Sequence, residues 1–116
     1  MIRTKQFIAE VTQLLERNFN DPNFNVTQLC LIVQVSRASI YRKIMSQCNC
    51  SPQVFIEEYR LSIAKRKIEE NECIIKEVAY GVGFSDPRYF SHRFKQKFCL
   101  TPTEYRKGFL KSNFLN

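Results

Sequence analysis

The sequence predicts an all-α fold of seven helices, arranged as two tandem helix-turn-helix subdomains joined by a long linker helix. Apolar residues recur at helical spacing along nearly the whole chain. Glycine and proline are scarce, at three and four among 116 residues, which disfavours a β-sandwich or barrel because those folds need many turns. The pattern of the first half also recurs in the second with a period of about fifty residues, which indicates a repeated structural unit.

The first half predicts three helices. The first ends before Pro22, because the residue before a proline avoids the helical region. Asn25 and Ser36 are of the types that cap helix N-termini, and each precedes a segment with helical spacing. The three helices are predicted at about residues 3–17, 26–33 and 37–46.

Two Ser/Thr-Pro pairs stand in equivalent places in the two halves. Ser51-Pro52 opens a fourth helix, predicted to run to about residue 70, because serine caps a helix and proline suits its first position. A fifth helix is predicted at about 75–81, and Asp86-Pro87 opens a sixth. Thr101-Pro102 opens a short seventh, expected to end near residue 107 and to leave a fraying tail.

The two halves differ by one residue in the turn. Val33 corresponds to Val82, but Ser36 corresponds to Asp86, so the offset grows by one between these pairs. The extra residue is assigned to Ser85, where an insertion costs little. The chain is therefore predicted to comprise a first helix-turn-helix subdomain (1–50), a linker helix (51–70) and a second helix-turn-helix subdomain (71–116), together forming one unit.

The charge distribution favours a polyanionic partner. The formal net charge is +7, and neither Asp nor Glu occurs between Pro22 and Ile56 or between Pro87 and Thr103. A basic surface can simply keep a small domain in solution. Acid-free basic segments, however, suit phosphate binding, which gains from counterion release.

The third helix has the pattern of a DNA-reading helix. Ile40 and Ile44 are expected to point inward, while Ala38, Tyr41 and Arg42 share another face. Only the major groove of B-DNA admits a helix and presents a unique code of donors and acceptors. Arg42 is suited to a bidentate bond with guanine, and the small Ala38 would allow close approach of the backbone.

The sixth helix repeats the pattern, with Phe90 and Phe94 inward and Arg88, Ser91 and His92 on the opposed face. Each of these polar side chains can also be read as an ordinary solvated residue. A further set consists of basic residues and helix N-termini, which favour phosphate contact. This set is Ser36, Arg37, Lys43, Asp86, Arg93, Lys95 and Lys97.

Other site classes find little support. Five cysteines and one histidine fit neither a disulfide framework nor a four-ligand zinc site, so no cofactor or metal is expected. Cys48 and Cys50 form a C-x-C pair, which leaves a metal or redox role as an alternative. We find no nucleophile paired with a base and no phosphate loop, so no enzyme is expected. No signal peptide or long apolar run is seen, so we expect a cytoplasmic protein and no membrane contact by this segment.

These motifs resemble the DNA-binding region of the AraC/XylS family of bacterial transcription regulators. The second half carries Gly81-Val-Gly-Phe-Ser-Asp-Pro87 and Thr101-Pro-Thr-Glu-Tyr-Arg106, and the first carries Ser36-Arg-Ala-Ser-Ile-Tyr-Arg-Lys-Ile44. The resemblance covers about residues 24–107. It implies two recognition helices that enter successive major grooves, with base contacts at Ala38, Tyr41, Arg42, Arg88, Ser91 and His92.

The resemblance also implies partners and shows departures. The expected partner is double-stranded DNA with an asymmetric site of two half-sites, and the expected role is activation, with RNA polymerase as a further candidate partner. Asn49 and Cys99 stand where the family usually has glycine, which predicts strain at those turns. Ile74 replaces a polar cap, and His92 stands where arginine is frequent.

Two questions stay open at this point. A helical module that docks an acidic protein would also explain the basic stripes, although its binding to duplex DNA would be weak and insensitive to sequence. The chain is also similar to the output domains of hybrid two-component regulators, so we expect a sensor or effector domain elsewhere in a longer chain, with a stand-alone small regulator as the alternative.

Overall fold

The computed structural model describes the backbone of residues 4–70 and 73–115 and the side chains of residues 6–70 and 73–110. All regular structure in these ranges is helical, which confirms the predicted all-α class with seven helices. The helices are α1 (Thr4–Asn18), α2 (Val26–Val33), α3 (Arg37–Cys48), α4 (Pro52–Glu70), α5 (Ile75–Gly81), α6 (Pro87–Phe98) and α7 (Pro102–Leu115).

Local capping chemistry sets most of the helix starts. The Asn25 side chain accepts a hydrogen bond from the Gln28 N–H at 3.0 Å, and the Ser51 hydroxyl accepts one from the Val54 N–H at 3.2 Å. Both predicted caps are therefore confirmed. Ile74 precedes α5 and makes no side-chain capping bond. The predicted start of the first helix at residue 3 lies outside the described residues.

The end of α7 was predicted wrongly. The helix does not stop near residue 107 but continues to Leu115. Tyr105 and Phe109 lie one turn apart with their rings stacked and their centroids 6.2 Å apart, a pairing that stabilises a helix. Gly108 lies between them, and glycine costs only about 1 kcal/mol in a helix relative to alanine. This is too little to end a helix that such a pair supports.

The start of α7 is a capping box. The Thr101 hydroxyl accepts a hydrogen bond from the Glu104 N–H at 3.1 Å, and the Glu104 carboxylate accepts one from the Thr101 N–H at 2.9 Å. Hydrogen bonding to Thr101, above all to its backbone N–H, lowers the pKa of the Glu104 carboxyl from its ordinary value. The first turn of α7 is thus fixed by side chains that are adjacent in the sequence.

The chain divides within α4 into two compact units, unit 1 (Met1–Tyr59) and unit 2 (Arg60–Asn116). In unit 1, α1 and α2 both pack against α3. The buried apolar core of this unit is Phe7, Val11, Leu15, Phe24, Leu29, Ile40, Ile44 and Ile56.

In unit 2, α6 packs against α5 and α7. Its buried apolar residues include Ala64, Val78, Ala79, Val82, Phe84, Phe90 and Phe94. Leu61 and Ile68 of α4 are also buried, and Phe98 of α6 is half-buried. Each unit therefore has its own apolar core beneath its helix-turn-helix pair.

Candidate nucleic-acid interface

The two helix-turn-helix turns share one pattern of backbone hydrogen bonds. The Val35 N–H donates to the Cys30 carbonyl at 3.2 Å, and in the equivalent place the Phe84 N–H donates to the Ala79 carbonyl at 2.9 Å. Both turns use a left-handed residue, Gln34 (φ 57°) in the first and Gly83 (φ 99°) in the second. The predicted repeat is therefore present in the backbone.

The second turn is one residue longer, and Ser85 lies in it and is exposed. After this residue the equivalent bonds resume one position later. The Ile40 N–H donates to the Ser36 carbonyl, and the Phe90 N–H donates to the Asp86 carbonyl. The insertion thus changes the turn without disturbing the start of the helix that follows.

Ser36 and Asp86 are the N-caps of α3 and α6. The Ser36 hydroxyl accepts from the Ser39 N–H at 3.2 Å, and the Asp86 carboxylate accepts from the Arg88 N–H at 2.9 Å. Both side chains are exposed. A phosphate approaching α3 would meet a neutral cap, whereas one approaching α6 would meet a carboxylate. The phosphate contacts assigned to these two residues stay predictions.

The outward face of α3 carries the three candidate base-contacting residues of unit 1. Ala38, Tyr41 and Arg42 are exposed, while Ile40 and Ile44 on the inward face are fully buried. Ala38 and Tyr41 line one cleft together with Arg37, Ser51 and Gln53 at the start of α4. Side chains at these positions are free to enter a groove without disturbing the core.

The outward face of α6 carries the candidates of unit 2. Arg88 and His92 are exposed, and Ser91 is half-buried, opposite the fully buried Phe90 and Phe94. Arg88 and Ser91 line a cleft that Lys76 and Tyr80 of α5 also border. A polar and basic surface therefore faces away from a wholly aromatic stripe.

Four basic side chains on the flanks have defined contacts. The Arg37 guanidinium donates to the Thr27 hydroxyl at 2.8 Å, and the Arg93 guanidinium donates to the Gln96 side chain at 2.7 Å. The ammonium groups of Lys43 and Lys97 lie over aromatic rings, at 5.3 Å from the Phe7 centroid and 5.6 Å from the Phe98 centroid, respectively. Lys95 is exposed on α6.

Sequence reasoning did not name three residues that adjoin the candidate interface. Ser46 and Gln96 are exposed one turn beyond Arg42 and His92, and their i+4 spacing was the signal that could have found them. Thr27 was missed as the partner of Arg37 because a hydrogen bond between two helices leaves no periodic signal in the sequence.

The five cysteines are free thiols, and burial raises the pKa of the Cys48 thiol, which favours its neutral form. Among the described side chains, residues 6–70 and 73–110, no group of three or more His, Cys, Asp or Glu is placed to hold a metal ion. Over the same ranges, no helix combines the length and apolar character needed to cross a membrane.

The fold and the site define a class of protein. Each unit presents a helix-turn-helix whose second helix is capped and apolar on its inner face, with arginine and other polar groups on its outer face. This is the geometry of tandem helix-turn-helix DNA-binding domains.

Comparison with known proteins gives the family. Residues 29–108 match the family model of a helix-turn-helix domain, of AraC type. The chain belongs to this AraC-type helix-turn-helix family of DNA-binding transcription regulators.

Three similar proteins illustrate the relationship. Histidine kinase P4 of Formosa agariphila is 33% identical over 105 residues, which cover 90% of this chain and 8% of that protein. The transcriptional activator RhaS of Escherichia coli is 30% identical over 74 residues, which cover 64% of this chain and 27% of that protein. The DNA-binding domain of AdpA, a global transcriptional factor solved with a target DNA, has a TM-score of 0.80 at 25% identity and covers 87% of this chain and 90% of that one. The chain spans less than a third of the length of Histidine kinase P4 and of RhaS.

Proposed function

We propose that this domain recognises an asymmetric double-stranded DNA site by inserting α3 and α6 into successive major grooves, and that it serves as the output domain of a transcription activator in the cytoplasm. The observation that carries the proposal is the pairing, in each unit, of an exposed arginine with a fully buried apolar stripe on one helix. These arginines are Arg42 in α3 and Arg88 in α6.

Roles follow from position on the two helices. Arg42 and Arg88 bond guanine edges, since an arginine fork matches guanine O6 and N7. Tyr41 and His92 contact a base or an adjacent phosphate. Ala38 and Ser91 line the groove surface, where small side chains allow close approach.

The flanking residues Arg37, Lys43, Arg93, Lys95 and Lys97 contact phosphates and set the register. Ser36 and Asp86 act mainly as caps. Asp86 in addition orients the first turn of α6 through its bond to the Arg88 N–H.

Selection of bound duplexes from a random pool tests the proposal. We expect two half-sites of different sequence. Arg42→Ala or Arg88→Ala should weaken binding to the selected duplex by about 1–3 kcal/mol and relax base preference in one half-site only. Arg66→Ala is the matched control, because Arg66 is an exposed arginine of α4 outside both outward faces.

The salt dependence separates the two kinds of contact. Lys97→Ala should weaken binding to all duplexes alike and lower the salt slope by about one. If Arg42→Ala and Arg88→Ala bind the selected duplex as tightly as the parent, the groove assignments are wrong. Selection that yields no preferred sequence would favour the alternative, a module that docks an acidic protein.

The similarity to a small part of Histidine kinase P4 supports a place for this domain in a longer signalling protein. The similarity to an activator supports a promoter-bound role, with RNA polymerase as the candidate partner. Antibody detection of the native polypeptide measures its length in cells. A reporter gene downstream of the selected site should rise on expression of that polypeptide, and a fall would indicate repression.

A further inference from the structure

Arg37 is held by a residue from another helix. Its Nη1 donates to the Thr27 hydroxyl at 2.8 Å, and the two residues lie at the starts of α3 and α2. Both side chains are exposed. The hydrogen bond therefore connects the two helices of the first helix-turn-helix at its surface and not within its core.

The Thr27 hydroxyl is a neutral acceptor, so it does not neutralise the charge of Arg37. A carboxylate partner would cancel the arginine charge, but a hydroxyl leaves it uncompensated. A guanidinium has five N–H donors, so a single bond to Thr27 leaves the others for a second acceptor. The segment from Pro22 to Ile56, which supplies both Thr27 and Arg37, contains no Asp or Glu.

The position of Arg37 suits a phosphate better than a base. It is the first residue of α3, and it borders a cleft with Leu31 of α2 on one side and a cleft with Ala38 and Tyr41 on the other. Arg37 therefore adjoins both the helix that crosses the DNA backbone in this motif and the face that reads bases.

We infer that Thr27 is a positioning residue, which holds the Arg37 guanidinium in place for a DNA phosphate before the DNA arrives; this rests on the proposed function. An arginine side chain has much rotamer freedom to lose on binding, so holding it beforehand reduces the entropic penalty of the contact. Thr27 itself does not touch the DNA.

A double-mutant cycle on the selected duplex tests the coupling. Thr27→Val removes the hydroxyl and keeps the branched shape, and valine and threonine have similar helix propensities, so folding should be retained. We expect affinity to fall about two- to tenfold, as for one side chain ordered on binding. Thr27→Ser should restore it, and Thr27→Val should add nothing in an Arg37→Ala background. An equal loss in both backgrounds, or no loss in either, would overturn the inference.

A second measurement needs no DNA. Nitrogen NMR of the arginine side chains should show slow rotation of the Arg37 guanidinium in the parent and in Thr27→Ser, and fast rotation in Thr27→Val, with Arg66 as the mobile reference. Free rotation of Arg37 in the parent would refute the pairing. If the parent selects no duplex, the proposed function and the phosphate role fail together, whereas the NMR result still shows whether Thr27 orders Arg37.

Discussion

Cys99 ends α6 in a left-handed conformation, with φ 69° and ψ 1°, and we expect Cys99→Gly to stabilise unit 2. The left-handed region costs a side-chain-bearing residue about 1–2 kcal/mol. Glycine escapes this penalty but loses about 0.4–1 kcal/mol through the greater freedom of its unfolded chain. The Cys99 side chain is exposed, so its removal sacrifices little packing. The net gain should be about 0–1.6 kcal/mol, with a middle value near 0.8 kcal/mol.

Urea denaturation measures this gain as a higher midpoint at unchanged slope. The backbone bond from the Cys99 N–H to the Lys95 carbonyl, 2.8 Å long, does not depend on the side chain and should persist. Cys99→Ala is the matched control, since it removes the thiol and keeps the strain. If Cys99→Gly is no more stable than Cys99→Ala, the strain argument is wrong.

Asn49 provides an internal comparison. It ends α3 in the same way, with φ 55°, and its N–H donates to the Met45 carbonyl. Asparagine tolerates the left-handed region better than most residues because its short polar side chain can bond locally. Asn49→Gly should therefore change stability less than Cys99→Gly. A larger gain at Asn49 would show that the backbone angle is not the controlling factor.

Two further predictions concern α7. The pKa of Glu104 is lower in the folded protein than in the unfolded chain. The contribution of the Glu104 carboxylate to stability is therefore present above its ordinary pKa of 4.5 and is lost as pH falls below that value. Glu104→Gln keeps a capping side chain and should reduce the loss of unfolding free energy at acid pH, as measured by urea denaturation. An unchanged loss at acid pH would exclude Glu104 as its source. Tyr105→Phe removes the 2.5 Å bond to the Glu69 carboxylate and should lower stability by about 1 kcal/mol at neutral pH. Burial, and after it that hydrogen bond, raise the pKa of Tyr105 to about 12. The parent should therefore lose the contribution of this hydrogen bond to stability as pH rises from 10 to 12. A Tyr105→Phe variant whose stability has the same alkaline pH profile as the parent would contradict this prediction.

Locally determined features could be predicted from the sequence. Asn25, Ser36, Ser51 and Asp86 cap helices as expected, because a cap depends on a side chain and a backbone N–H only a few residues away. The left-handed angles at the ends of α3 and α6 were anticipated from the family resemblance, because Asn49 and Cys99 stand where the family usually has glycine. The inserted Ser85 was also placed correctly, since apolar spacing on both sides of the turn restricts its position.

Features that depend on contacts between elements were predicted less well. The end of α7 was set too early because a single glycine, Gly108, weakens a helix without ending it, and the stacked pair of Tyr105 and Phe109 spans it. Leu61 and Ile68 of α4 are buried in unit 2, whereas Ile56 of the same helix belongs to the core of unit 1, so a single helical stripe does not predict which α4 residues are buried. The bond between Thr27 and Arg37 joins two helices and has no counterpart in the spacing of either.

The same distinction explains why the fold could be predicted in more detail than the DNA sequence it would bind. The two helix-turn-helix units have equivalent backbone hydrogen bonds because those bonds depend on capping and on inward residues such as Ile40 and Phe90, which are chemically alike. The outward residues are under no such requirement, and they differ. Tyr41 in α3 corresponds to Ser91 in α6, and Arg42 corresponds to His92, so two units of the same architecture present different hydrogen-bonding groups. Since base readout depends on those groups and not on the shared backbone, the two half-sites should differ in sequence, and a palindromic site selected by a single chain would contradict the proposed roles of these helices.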